Sequence, residues 1–293
     1  SHTDNAELIR MENTSYTTIQ NCKIYNARQA SNWPNTCGIK MYYNDHATIE
    51  NCEIYNCTAA THIKCENDYI TIRNNYVHNN YHGIYGTAYN TRTNDYGKAY
   101  NNLIVNNSCT SFFLSVDSDT GTNNNWQFYN NTIYHPNGSG DCFIYGNGKN
   151  WNIYNNILIT RSGTLNLKTI RLSSITSCDH NQFGTTSFGV QTRAYNSASS
   201  YSSLNAWKLS GELASGGNPG QGSMASNPLF KNISGNMDQI RDFDIAQNSP
   251  CKAAGRNVED IGANINVVGV GFDISGDTTP PSSPVGIAAD VIK

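Results

Sequence analysis

Three cations in this sequence recur in the same local setting. Arg10, Lys40 and Lys64 sit in Ile9-Arg10-Met11, Ile39-Lys40-Met41 and Ile63-Lys64-Cys65. Ile84-Tyr85-Gly86 and Ile144-Tyr145-Gly146 repeat the pattern with a phenol in the cation's place. Side chains alternate between two faces along a strand. With Ile and Met or Cys inward, Arg10, Lys40, Lys64, Tyr85 and Tyr145 form one outward column. Like charges stacked in register repel. A chain of net charge −3 has no general surplus of cations to place there, so the column implies an anionic ligand. The chemistry it suits is β-elimination on a uronate-containing glycan. That reaction needs a cation for the carboxylate, a base for the C5 proton and a proton donor for the leaving oxygen. Lysines crowded by other cations have lowered pKa values, which suits a base. Lys40, Lys64, His82 and Tyr85 are therefore the expected catalytic set, with Arg10 and Tyr145 binding substrate. The plain alternative is a row of ordinary solvated side chains on an exposed sheet.

A second set is acidic. Asp117 and Asp119, with Asp141 in a later repeat, offer the carboxylate pair of a glycoside hydrolase, which needs a separation of about 5–10 Å. Asp117-Ser118-Asp119-Thr120-Gly121 also resembles part of a Ca²⁺-binding loop, making Asp117 and Asp119 the candidate metal ligands. A third expectation is a non-catalytic glycan-binding or cell-surface module. Eighteen tyrosines offer faces for sugar rings, although tyrosine is also simply a good strand residue.

The elements that would hold these groups are repeats. Thr18-Ile19-Gln20-Asn21-Cys22-Lys23-Ile24-Tyr25 returns as Thr48-Ile49-Glu50-Asn51-Cys52-Glu53-Ile54-Tyr55 and as Thr71-Ile72-Arg73-Asn74-Asn75-Tyr76-Val77-His78. Looser copies place the same asparagine at 101, 130 and 155. Such periods mean stacked repeats. The copies alternate apolar and polar residues and are rich in Ile, Val, Tyr and Thr, which is strand chemistry. The leucine spacing of leucine-rich repeats is absent, and a propeller blade needs about 40 residues. The expected fold is all-β: a right-handed parallel β-helix of about seven coils with a C-terminal capping segment. Asn21, Asn51, Asn74, Asn101, Asn130 and Asn155 would form an inward ladder whose amides satisfy backbone groups at the turn. Cys22 and Cys52 share one place in consecutive copies and should stack, as free thiols. The long segments at 26–37, 87–98, 117–126 and 135–141 would wall a groove over the cationic face.

Charged residues are only 14% of the chain, well under the usual quarter. Asn, Ser, Thr, Tyr and Gly fill the polar surface instead, which suits a secreted or cell-surface setting. Neither a nucleic-acid partner nor a membrane span is expected, since no apolar run approaches about 18 residues. Residues 1–183 are read as coils, and 184–275 as C-terminal coils and cap of the same domain. Residues 276–293 read as a Pro-rich linker and the start of a further module. The expected molecule is a monomer within a larger multidomain chain, with a polysaccharide as partner.

The C-terminal series runs Trp207-Lys208-Leu209-Ser210-Gly211, Asn227-Pro228-Leu229-Phe230, Asp242-Phe243-Asp244-Ile245, Asn248-Ser249-Pro250 and Asp260-Ile261-Gly262-Ala263. Together with the repeats, it resembles the closing segment of secreted right-handed parallel β-helix proteins of the broad pectate-lyase-like superfamily. The resemblance covers roughly residues 7–265. It implies the fold and a carbohydrate setting, but the group spans lyases, hydrolases, epimerases and non-catalytic surface proteins. No catalytic motif of one family matches residue by residue, so no site is carried over.

Overall fold

The computed structural model describes residues 6–29, 32–89, 91–116, 121–136, 142–146, 148–160, 167–169, 175–184, 190–194, 197–201, 203–210, 220–232, 237 and 239–270. They form a parallel β-solenoid of three long sheets, with a small fourth sheet of Leu167–Thr169, Val190–Ala194 and Ser197–Tyr201 whose last two strands pair antiparallel. The first sheet stacks Glu7–Glu12, Cys37–Tyr42, Ala59–Lys64, His82–Ala88, Thr110–Val116 and Cys142–Gly146 in that order. The second runs through seven strands from Thr18–Gln20 to Ile175–Asp179, and the third through eight from Lys23–Tyr25 to Met224–Ala225. Every pairing within these three sheets is parallel, one coil to the next.

The core is made of columns of like residues. Ile19, Ile49, Ile72, Ala99, Phe128 and Ile153 are successive partners in the second sheet. Ile24, Ile54, Val77, Ile104, Ile133 and Leu158 do the same in the third. All are buried, each worth roughly 1.5–3 kcal/mol where the side chain is of Val or Leu size. In the first sheet the inward column is Met11, Met41, Ile63, Gly86 and Leu114. Gly86 makes room: a Cβ there would lie 2.5 Å from Leu114 Cδ2.

The corners are turned by asparagine pairs. Asn21, Asn51, Asn74, Asn101, Asn130 and Asn155 are coil-to-coil neighbours, as expected, with φ between 52° and 57°. That left-handed conformation is one asparagine tolerates well. Their inward role, however, falls to the next residue. Asn75, Asn102, Asn131, Asn156 and Asn181 form the buried ladder, each Nδ2 donating to the next Oδ1 at 3.0 Å. The left-handed residue turns the chain so that its successor points into the core. A second ladder, Asn44–Asn67–Asn94–Asn123, lines the corner between the first and second sheets. The first ladder ends on cysteine, the N–H of Cys52 donating to Asn75 Oδ1 at 3.0 Å. A shorter third row does the same, with the N–H of Cys57 donating to Asn80 Oδ1 and that of Asn80 to Asn107 Oδ1, both at 2.9 Å. Cys22 and Cys52 occupy one column. Cys22, Cys37, Cys52, Cys57, Cys65, Cys109, Cys178 and Cys251 are free thiols. Thiol titration of the denatured, unreduced protein should therefore count at least eight. With nine cysteines in the chain, a count of seven or fewer would mean that at least one of these eight is bridged.

The short helix Leu204–Ser210 starts at Ser203, whose Oγ accepts from the Ala206 N–H at 3.1 Å. It buries Trp207 against Phe183. The described residues between 228 and 269 then run back along the outer face of the third sheet. The N–H of Gly262 donates to Asn155 O, that of Ala263 to Thr132 Oγ1, that of Asn264 to Asn101 Oδ1 and that of Gly269 to Asn74 O. Phe243, Ile261, Ile265 and Val268 pack there with Tyr76, Leu103, Tyr134 and Ile157. Within this stretch Ile240–Phe243 forms a 3-10 turn, and a single antiparallel bridge joins Phe230 to Ile245. Among the described residues no helix is long and apolar enough to cross a membrane.

Candidate active face on the first sheet

The outward face of the first sheet carries two columns where one was expected. Arg10 pairs with Lys40, Lys40 with His62, His62 with Tyr85, Tyr85 with Phe113 and Phe113 with Tyr145. Lys64 instead pairs with Thr87, in the column beside it. The cause is one extra residue at a corner. Coil two turns from Met41 to Asn44 with Tyr43 left-handed, whereas coil three turns from Ile63 to Asn67 with both Cys65 and Glu66 left-handed. His62, absent from the expected set, therefore takes the place assigned to Lys64. The parity of Thr61 and Ile63 against His62 and Lys64 already put both His62 and Lys64 outward. Polar Thr61, buried in the Ile39–Ile84 column, obscured that signal.

Lys40 is outward but not open. It is 0% exposed, because the segment before Cys37 folds over it. Its Nζ donates to Asn35 O at 2.8 Å and lies 3.5 Å from Glu7 Oε2. Arg10 is held by Glu7 and Glu12 at 3.0 and 2.8 Å. These cations are neutralised by carboxylates, so the expected repulsive row of three does not exist. Lys64 is half-buried, 5.8 Å over the Tyr42 ring.

Two imidazoles converge on Tyr85. The His62 ring meets it edge-on at 5.0 Å, and the His82 ring lies 5.0 Å away at a tilt of 52°. Phe113 stacks on Tyr85 at 4.6 Å, leaving the phenol half-buried and fixed in direction. His62 Nδ1 lies 3.0 Å from Pro34 O, which can only accept, so Nδ1 carries the proton and Nε2 keeps a lone pair toward Thr87 Oγ1 at 3.4 Å. His82 Nδ1 is 2.9 Å from Thr110 Oγ1. Burial, helped by the charges of Lys64 and Lys40, pushes His62 down to about 3, and burial alone takes His82 to about 4. Both rings are neutral near neutral pH. The arrangement offers a fixed phenol, two neutral imidazoles and one ammonium beside them.

Asp117, Asp119 and Asp141 lie outside the described residues, as does the side chain of Tyr145. Among the described residues no three His, Cys, Asp or Glu side chains cluster as metal ligands. Ser111 Oγ and His135 Nε2 are 2.8 Å apart, and both residues are buried.

The family model described as the right handed beta helix region matches residues 7–169. The chain belongs to the right-handed β-helix family. Neither the curated proteins nor the solved structures gave a significant match.

The buried histidines give this β-helix protein an acid limit. His135 is also held down by burial, at about 4. All three folded-state values lie below the ordinary 6.5, so below that pH the unfolded chain binds more protons. Their contribution is complete above about pH 6.5 and is lost as pH falls toward 4, by on the order of 1 kcal/mol per pH unit per imidazole. Urea titrations from pH 7.5 to 4.5 should show that fall, and His82→Gln should flatten it. A profile of unchanged slope in His82→Gln would show that His82 is not buried neutral.

Proposed function

We propose that this protein is a carbohydrate-active β-helix enzyme of the cell exterior that cleaves a uronate-containing polysaccharide by β-elimination on the outer face of its first sheet. One observation carries the reading: the neutral rings of His62 and His82 both lie 5.0 Å from Tyr85, with Lys64 in the neighbouring column. In this scheme Lys64 binds the uronate carboxylate and stabilises the charge that builds there once the C5 proton leaves. His82, unprotonated at neutral pH, is the candidate to take the C5 proton, and a bound uronate carboxylate would raise its proton affinity from the resting value of about 4. Tyr85 is then the donor to the departing glycosidic oxygen. Atoms balance: the C5–H and C4–O bonds break, a C4–C5 double bond forms, and the phenol is restored from the protonated imidazole or solvent. Lys40 and Arg10, tied to Glu7, position the face and do not touch substrate.

The test is a panel of acidic and neutral polysaccharides read by ultraviolet absorbance and by reducing ends. New absorbance on an acidic glycan supports elimination. Reducing ends without absorbance would overturn it, since hydrolysis makes no unsaturated sugar. That result would turn attention to Asp117, Asp119 and Asp141.

A further inference from the structure

The corner between the first and second sheets carries a column of left-handed residues: Tyr16, His46, Tyr69, Tyr96, Asn125 and Asn150, with φ from 54° to 60°. Asparagine is the inexpensive occupant of that conformation, and a bulky ring is an unusual one. The four ring-bearing members stack with centroids 4.7, 4.6 and 4.9 Å apart. Their faces are therefore spent on one another, except at the ends. At the Tyr96 end the next coil offers only Asn125, and a notch of about 500 Å³ opens there. Its lining includes Tyr96, Lys98, Asn125, Gln127, Asn150 and Asn152.

Two other aromatic stacks show what a closed end looks like. Tyr100–Tyr129–Tyr154 is capped by the Arg256 guanidinium, 4.1 Å over Tyr154. Tyr25–Tyr55–His78 ends with His78 stacked on Tyr76 at 4.1 Å. The Tyr96 end has no such ring or guanidinium among the described residues, and Tyr96 remains 47% exposed. We propose that this notch is a non-catalytic subsite for one pyranose residue of a glycan chain. Tyr96 supplies the apolar platform that a ring's axial C–H groups pack on. The amides of Asn125, Asn150, Gln127 and Asn152 supply donors and acceptors spaced for hydroxyls. Asn150 and Asn125 are already set in position by their mutual hydrogen bond of 3.0 Å. Lys98 adds three N–H donors to the rim, for a hydroxyl or a sugar carboxylate. The notch stands at a corner of the coil, apart from His62, His82 and Tyr85, so its occupancy does not depend on the reaction proposed for them.

The test is titration calorimetry of neutral and uronate-containing oligosaccharides of four to six residues, in a Tyr85→Phe, Lys64→Ala background so that neither turnover nor binding at the first-sheet face contributes. At least one should bind with a dissociation constant of about 1 mM or tighter, and Tyr96→Ala should weaken it at least tenfold. Asn125→Tyr keeps the column stacked and fills the notch. It should abolish binding while melting like the parent, which separates ligand loss from misfolding. Binding unchanged in Asn125→Tyr, or absent from the parent across the panel at 10 mM, overturns the subsite. Because the readout is binding, the subsite stands or falls whether or not the parent chain proves to be a lyase.

Discussion

Replacing Asn102 with leucine should lower the unfolding midpoint by on the order of 10 °C, the largest stability loss expected from one polar substitution here. Asn102 is fully buried. Its Oδ1 accepts from the backbone N–H of Asn75 at 3.1 Å and from Asn75 Nδ2 at 3.0 Å. Its own Nδ2 donates to Ile72 O at 2.9 Å and to Asn131 Oδ1 at 3.0 Å. Leucine has a similar volume and none of these functions. The backbone N–H of Asn75 and one of the two N–H bonds of its Nδ2, whose other still reaches Ile49 O, then sit in the core without an acceptor, at about 1–3 kcal/mol each. The ladder polarises along its length, so the loss should spread to neighbouring coils. The matched control is Asn79→Gly. Asn79 is exposed and left-handed at φ 55°, and glycine adopts that conformation freely, so the change should stay within about 1 kcal/mol. Thermal melts of both variants decide the matter: equal midpoints would show that the ladder is ornament and the apolar columns alone hold the coils.

Tyr85→Phe should reduce turnover of an acidic polysaccharide by about 10²–10⁴-fold, the range for loss of one proton-transferring group. Phenylalanine keeps the stack on Phe113 and the edge contact with His62, so the melting temperature should hardly move. Lys64→Ala should act differently. If the ammonium binds carboxylate in the ground state as well as in the transition state, KM rises along with the fall in kcat. Lys64→Arg should recover part of the binding, whereas Lys40→Ala should instead destabilise the protein, since it leaves Glu7 and Asn35 O without their buried donor. Full activity in both Tyr85→Phe and Lys64→Ala would refute the proposed chemistry.

The fold was legible because a parallel solenoid stacks each residue on its own counterpart. Ile19, Ile49 and Ile72 repeat in the sequence for the same reason that they touch in space. The site was legible only in part. Tyr85 and His82 lie on one strand, but three residues apart strict alternation would put them on opposite faces, so their 5.0 Å ring contact is not a product of strand periodicity. Lys64 was placed one column away from its true position because a polar corner absorbs an extra residue, Cys65 or Glu66, without changing the apolar pattern on either side. The burial of Lys40 could not be read at all. It depends on Asn35 O and Glu7, brought over the face by a fold-back that leaves no periodic trace. The buried ladder was displaced by one residue for a simpler reason: both members of each Asn-Asn pair are chemically alike, and only the left-handed φ of the first tells which turns inward.

The back-running segment 228–269 has a consequence for how the molecule is made. Stacked coils interact only with their neighbours, so a growing chain can wind them up as each leaves the ribosome. The outer side of the third sheet cannot be finished that way. Tyr76, Leu103, Tyr134 and Ile157 must wait for Phe243, Ile261, Ile265 and Val268, and the contact nearest the start of the chain, Gly269 to Asn74, is the last to be synthesised. Until then the nascent solenoid carries an uncovered greasy flank. Once the segment lies down, it ties coils that would otherwise fray one at a time into a single cooperative unit, so a protease must wait for the whole to open.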